Sequence, residues 1–273
     1  MFEVTVALVF LPVLVGSFWI GQIAQRFLRE HHRSRESVDS IRVLMTLLVT
    51  FVALVLGLVI SSAQRRLDVL GAGLRGLSVD ITELDQRLRD YGPEVDPLRA
   101  ELIRYTKAAI ADTWPDEPPP PGDYPRHLNP LVKGGVESVE LGAILNRIDL
   151  AIHRLVPQDE FHRSLAGNLQ TRMAELLQQR WNLIENGLPS LSWRFIVILM
   201  FWLAVIFVIA GLTSPRNGVV IMVTTLAALS LSSSIFLALA LDRPLTGTIK
   251  ISSAPMQDAL LHLMQPPLPA GAP

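Results

Sequence analysis

Four windows along the chain contain no Asp, Glu, Lys or Arg: Val4–Gln25, Val43–Gln64, Phe195–Pro215 and Asn217–Leu241. Each exceeds the roughly 18–20 apolar residues that cross a bilayer's hydrocarbon core, so each reads as a membrane-spanning helix. The stretch from Arg65 to Arg194 is charged and has no such window. The spans therefore pair as two hairpins around a polar domain. Their short connections are "RFLREHHRSRESVDSIR" and "SPRNG".

The polar domain has a helical rhythm. Leu67, Leu70, Leu74, Leu77, Ile81, Leu84 and Leu88 alternate steps of three and four, a heptad seam running directly out of the second span. Val95, Leu98, Leu102, Tyr105 and Ala109 resume the rhythm after a break at Gly92–Pro93. Leu141, Leu145, Ile148, Ile152 and Leu155 form a third stripe, which Pro157 ends. A fourth runs through Phe161, Leu165, Leu169, Met173, Leu176 and Trp181 to the helix-ending sequence Asn186-Gly187-Leu188-Pro189. No alternating strand pattern competes, so the fold class is all-α.

The expected organisation is a transmembrane hairpin over 1–64, with spans about 4–25 and 43–64, then a helical, coiled-coil-like extramembrane domain over 65–192. A second hairpin over 193–241 has spans about 195–214 and 217–241. Residues 242–273 form a tail whose end, "QPPLPAGAP", is expected to be disordered. "PDEPPPPGDYP", residues 115–125, reads as an extended exposed linker because proline cannot propagate a helix.

Composition narrows the function. Half the residues are hydrophobic and only 18% are charged, against about 25% in soluble domains, which fits a chain in contact with a lipid bilayer. A net charge of −1 carries no basic stripe for nucleic acid. There is no cysteine, hence no disulfide and no thiolate metal site. The N-terminus carries Glu3 and no basic region, so the first span reads as retained. No phosphate loop, nucleophile elbow or HExxH pair is present, and the six histidines are scattered. The expectation is no enzyme, no cofactor and no metal. No span carries an internal charge of the kind a proton relay or coupled carrier uses, which favours passive conduction or a scaffold over a pump.

Orientation follows from loop charge. The first connection holds Arg26, Arg29, Arg33, Arg35 and Arg42, so the positive-inside rule places it in the cytoplasm of a bacterial inner membrane and the helical domain outside. Arg65, Arg66 and Arg75 after the second span, with Arg243 and Lys250 after the fourth, pull the other way.

The second span carries a small-and-polar stripe, Thr46, Thr50, Ala53, Gly57, Ser61 and Gln64. Such a stripe either packs helices closely or lines a water-filled path. Phe51 and Val55 lie beside it as a candidate apolar constriction. The fourth span repeats the pattern for helix packing with Ala227, Ser230, Ser234 and Ala238. Asp242 falls one turn beyond, at a helix C-terminus, where the helix field disfavours an acid. It is either solvated or paired. Because spans two and four cross in the same direction, Arg65 or Arg66 is the expected partner.

Three segments carry a resemblance. "SSAQRRLDVL" follows an apolar span as a basic helix. "LDQRLRDYGPEVDPLRAELIRYTKAAI" holds an Arg-x5-Tyr element at Arg99 and Tyr105. "LALALDRPLTGTIKISSAPMQDAL" holds a closing motif at Leu241, Asp242, Arg243, Pro244 and Gly247. Together they resemble the bestrophin-like family of bacterial membrane proteins, distantly related to the bestrophin anion channels. The resemblance implies a pentamer whose second span lines the pore, small anions as the conducted species, and a cytosolic helical domain. It would make Phe51 and Val55 the neck, with Thr46, Thr50, Ala53, Gly57 and Ser61 as the wall. The competing expectation is a non-conducting membrane scaffold or sensor whose helical domain binds an envelope or cytosolic partner.

Overall fold

The computed structural model describes residues 2–27, 35–126, 138–187, 191–245 and 247–266. Eight α-helices follow one another among them: α1 (Phe2–Ala24), α2 (Arg35–Tyr91), α3 (Asp96–Thr113), α4 (Val139–His153), α5 (Glu160–Gly187), α6 (Trp193–Thr213), α7 (Gly218–Leu241) and α8 (Ala254–Met264). The described residues contain no strand. Four helices are long and apolar enough to cross a membrane: α1, α2 in its first part, α6 and α7. The architecture is thus all-α with two plus two spans.

Contacts divide the chain into two units, Met1–Leu67 with Pro189–Ile249, and Asp68–Leu188 with Lys250–Pro273. The residues after Ile249, read from sequence as a tail, belong to the helical unit. Of the end expected to be disordered, 265–273, Gln265 and Pro266 are described, the Gln265 carbonyl accepting from Arg89, and 267–273 lie outside the described residues.

In the membrane unit, α1 packs against α6 and α7. Phe10, Leu14 and Phe18 are buried among Leu203, Ile206 and Phe207 of α6 and Ala228, Ile235 and Leu239 of α7. Val52 and Leu56 of α2 join this core. At one crossing the α1 and α6 backbones nearly touch. A Cβ on Gly21 would stand 2.1 Å from the Val208 carbonyl oxygen, and one on Gly211 the same distance from the Phe18 oxygen. Only glycine fits there. The same end is closed by polar contacts: Arg216 Nη2 donates to the Gln22 carbonyl at 2.5 Å, and Gln25 Nε2 to the Ser214 carbonyl at 3.3 Å.

The helical unit is built on the expected stripes. Leu74, Leu77, Ile81, Leu84 and Leu88 of α2 are buried with Leu102 and Tyr105 of α3, Leu145, Ile148 and Ile152 of α4, and Leu169, Met173 and Leu176 of α5. The heptad seam is therefore consumed inside its own chain. α2 ends at Tyr91, and Gly92 turns the chain with φ 120°. Side-chain oxygens cap two of the helix starts: Ser138 accepts from the Leu141 amide of α4, and Asp159 from the His162 amide of α5. Glycines let α5 approach α2, since Gln179 Nε2 donates to the Gly73 carbonyl and the added Cβ of Gly73 or Gly76 would collide with Leu183 or Gln179. Phe161 and Trp181, expected on the inward stripe of α5, are exposed. Phe161 lies at the start of the helix, and beside Trp181 the inward position is taken by buried Arg180.

The proline-rich segment is not a free linker. Trp114, Pro120 and Tyr124 are buried, Tyr124 Oη donates to the Pro120 carbonyl at 2.8 Å, and Trp114 Nε1 donates to the Ile251 carbonyl at 2.8 Å. Asp116 pairs with Lys250, while Glu117 accepts from Ser253 and Gln257. These contacts hold the start of α8. Its other end is held by Arg89, whose Nη2 donates to the carbonyls of His262, Leu263 and Gln265 at 3.2, 3.1 and 2.9 Å. Buried Asp85 fixes Arg89 Nε at 2.7 Å and Arg99 Nε at 2.9 Å. Tyr105 is enclosed. Burial pushes its phenol up, and the Arg180 guanidinium bonded to it acts in the opposite sense. The Arg-x5-Tyr element of α3 is thus structural, Arg99 pairing with Asp85 of α2 and Tyr105 meeting Arg180 of α5.

Replacing Gly211 by alanine should force α1 from α6 at an overpacking cost of about 1–3 kcal/mol. Melting temperature in detergent is expected to fall for Gly211→Ala and to stay put for Gly16→Ala, whose Cβ meets nothing within 4 Å.

Candidate pore helix and the Asp242 hollow

Successive helix residues turn by about 100°, so residues two apart face nearly opposite ways. In the membrane-crossing part of α2, Val52, Leu56 and Ala63 are buried and define the face turned to the rest of the unit. Thr50, Leu54, Leu58 and Ser61 each lie two residues from one of these, and all four are exposed. Thr46, Phe51, Ala53 and Gly57 are exposed as well, and a Cβ on Gly57 would meet nothing within 4 Å. The small-and-polar stripe is therefore not used for packing within the chain. Its threonines are satisfied along the helix, Thr46 donating to the Arg42 carbonyl and Thr50 to the Thr46 carbonyl, each at 2.9 Å.

Val55 is the residue expected beside Phe51 at a neck. It is half-buried and walls a hollow of about 240 Å³. Leu58, Val59, Ser62 and Ala63 of α2 complete one wall, and Leu191, Phe195 and Asp242 the other. The ends of α2's span and of α7 are thus level, as the paired crossing directions require.

Asp242 is 5% exposed, and its Oδ2 accepts from the Leu191 amide at 3.1 Å. Leu191 stands just before α6, so the acid at the C-terminus of α7 meets the positive N-terminal end of its neighbour. The acid is thus bonded to backbone, beside the side chains of Arg65 and Arg66 that the sequence offered as its partners. Of these, Arg65 is exposed and Arg66 half-buried. Arg243 is half-buried and Pro244 buried. Gly247 closes the motif: its N–H donates to the Arg243 carbonyl at 2.7 Å, and an added Cβ would lie 2.5 Å from that oxygen.

On α7, Ala238 is buried and Ser234 half-buried, but Ala227 and Ser230 are exposed. The face that packs within the unit runs one position round, through Ala228, Ser232, Ile235 and Leu239. A span apolar on every side gives periodicity little to read. No group of three or more His, Cys, Asp or Glu placed to hold a metal occurs among the described residues.

Two membrane hairpins separated in sequence by a helical unit, one span carrying an uncovered hydroxyl-bearing face, define a multi-pass helical membrane protein. The chain belongs to the bestrophin-like family: the Bestrophin-like domain profile matches residues 12–256. Among solved structures, it is similar in fold to a mutant form of a bacterial bestrophin homologue from Klebsiella pneumoniae. That match has 17% identity and a TM-score of 0.64, over 94% of this chain and 97% of that one. A second mutant form of such a homologue from the same organism matches at 15% identity and a TM-score of 0.63, over 93% and 96%. A crystal structure described as a membrane protein matches at 16% and 0.64, over 94% and 97%. No curated protein matches the chain.

Removing the Asp242 carboxylate leaves the Leu191 amide without its acceptor, a cost of about 1–3 kcal/mol. Asp242→Ala should lower the melting temperature in detergent, and Asp242→Asn, which keeps an acceptor oxygen, should retain most of it.

Proposed function

We propose that this protein is a homo-oligomeric channel of the bacterial cytoplasmic membrane that passively conducts small anions, with α2 around the axis. The observation that carries the reading is the uncovered side of α2, where hydroxyls and apolar side chains alternate in a helix that must cross the bilayer. Lipid is a poor neighbour for that side. A water-filled path between copies is a good one. Thr50, Leu54, Leu58 and Ser61 then line the path, with Leu54 and Leu58 as the constriction in place of Phe51 and Val55. Thr46, Ala53 and Gly57 stand on its shoulder. Family membership supports the same reading, because bestrophins conduct anions. The chemistry is non-enzymatic.

The channel reading carries an orientation with it, the helical unit in the cytosol. Charge in the short loop opposes this, but both sides of the membrane are basic. Arg216 joins the first loop's arginines, and Arg194, Arg243 and Lys250 join Arg65 and Arg66 opposite. The positive-inside rule is then balanced.

Purified protein in liposomes should pass chloride, with a reversal potential in a salt gradient that follows the anion. Leu54→Ala should raise the flux severalfold and Leu54→Trp should abolish it. Flux no greater than that of empty liposomes, for the native chain and for Leu54→Ala, would sink the channel and leave the scaffold.

Orientation is read on the cysteine-free background with Asp123→Cys, an exposed site. Its neighbour Gly122 is unsuitable, having φ 127° and the Lys107 ammonium against its added Cβ. Labelling by an impermeant maleimide is expected only after permeabilisation. Labelling of intact cells would put the helical unit outside.

A further inference from the structure

α3 ends on an acid that the fold does not use. Asp112 stands in the last turn of that helix, where the helix field disfavours a carboxylate. It is half-buried, and burial first and Glu140 second push its carboxyl above the usual carboxylate range. No hydrogen bond or ion pair from the described residues answers it. Glu140, in the first turn of α4, has a buried Oε2 that lacks a partner as well. Two acids close enough for one to raise the other, with no cation between them, are a cost that packing does not recover.

A pocket of about 390 Å³ opens onto Asp112. α3 supplies one wall with Ala108, Ala111 and Asp112, and the proline-rich segment supplies the other with Pro119, Tyr124 and Arg126. Tyr124 is buried and held by its bond to the Pro120 carbonyl, so its ring is a fixed surface. The Arg126 guanidinium lies over that ring, 5.0 Å from the centroid, and its one hydrogen bond among the described residues is a long one, 3.5 Å to the Gly122 carbonyl. Asp112 and Arg126 share the pocket without pairing with each other. It therefore has apolar walls and one unanswered charge of each sign, at a size typical of small-molecule sites.

We propose that this pocket binds a small zwitterion, an amino acid whose ammonium and carboxylate stand at opposite ends of an apolar spacer. The ammonium meets Asp112, in the field of Glu140, and supplies the cation that the two acids lack. The carboxylate meets Arg126, whose planar fork suits it. The spacer lies against Ala111, Pro119 and the Tyr124 ring. Bound there, the ligand joins α3 to the segment that holds the start of α8. The site lies wholly in the helical unit and stands or falls independently of conduction.

The test is calorimetric titration of the purified full chain in detergent with δ-aminopentanoate, ε-aminohexanoate and ω-aminooctanoate, against hexylamine and hexanoate, which keep one end each. At least one of the three amino acids is expected to bind saturably, about tenfold or more tighter than either one-ended probe, the worth of one charge-assisted contact. Asp112→Asn and Arg126→Gln should each weaken that amino acid by about the same factor. Arg126→Gln should leave hexylamine unchanged, and Asp112→Asn should leave hexanoate unchanged. The ligand-free melting temperature of Asp112→Asn should hold or rise, because the substitution removes an unanswered charge. No saturable binding by any of the three amino acids would overturn the site. Hexylamine binding as tightly as the best amino acid would overturn the Arg126 end, and undiminished binding to Asp112→Asn would overturn the other. A lower melting temperature for that variant would show that the carboxylate already serves the fold, and would overturn the premise.

Discussion

A helix end in a bilayer leaves backbone groups that water does not reach, and the membrane unit is organised by how two such ends are answered. α7 carries a charged residue beyond each of its ends. Arg216, before it, donates to the Gln22 carbonyl near the C-terminus of α1. Asp242, after it, accepts from the Leu191 amide at the start of α6. Each charge meets the helix end of opposite polarity, the arrangement the helix field favours. α7 thus clips α1 and α6 at opposite faces of the membrane, and the close crossing at Gly21 and Gly211 is held between the two clips. α2 contributes Val52 and Leu56 to this core, with Met45, Leu48 and Ile60 packed against it. Its remaining sides are then available for work outside the single chain.

The helical unit repeats the device. Arg89 on the last carbonyls of α8 and Glu117 near its first turn fasten a short helix at both ends. Asp85 in turn fixes Arg89 and Arg99. A buried carboxylate with two guanidiniums satisfies its lone pairs while joining α2 to α3, and through Arg89 to α8. Polar fastening of this kind sets register, which apolar packing alone fixes weakly.

Much of this was legible in the sequence, and the parts that were not share a cause. Hydrophobic spacing located all four spans, the seam from Leu70 to Leu88, the stripe from Leu141 to Ile152 and the break at Gly92–Pro93. It did not find α8, although Met256, Ala259, Leu260 and Leu263 keep a step of three, one and three. The prolines around that helix's neighbours drew the reading toward loop. Most of the 115–125 segment is exposed, as its prolines signalled, but they gave no sign that Pro120 and Tyr124, with Trp114 just before, would be buried. For Asp242 the question of a partner was well posed, and one partner is the Leu191 amide, a group that no comparison of side-chain charges can reveal. On α7, where every face is apolar, the packed face came out one residue from its expected place. Periodicity reads contrast, and that helix has little.

The clip residues also fix an order of events during synthesis. Arg216 and Gln22 are 194 positions apart, and the whole helical unit up to Leu188 is translated between them. The first hairpin therefore enters the bilayer long before α6 and α7 exist. For that interval Ser17, Gly21 and Gln22 of α1, buried in the finished protein, face lipid or the insertion machinery. A chain that stops after the first hairpin and short of Arg216 lacks the residue that closes the end of α1. Such a chain presents a polar, small-residue face of the kind that membrane quality control recognises. The late hairpin does not simply add two spans. It releases the early one from a provisional state.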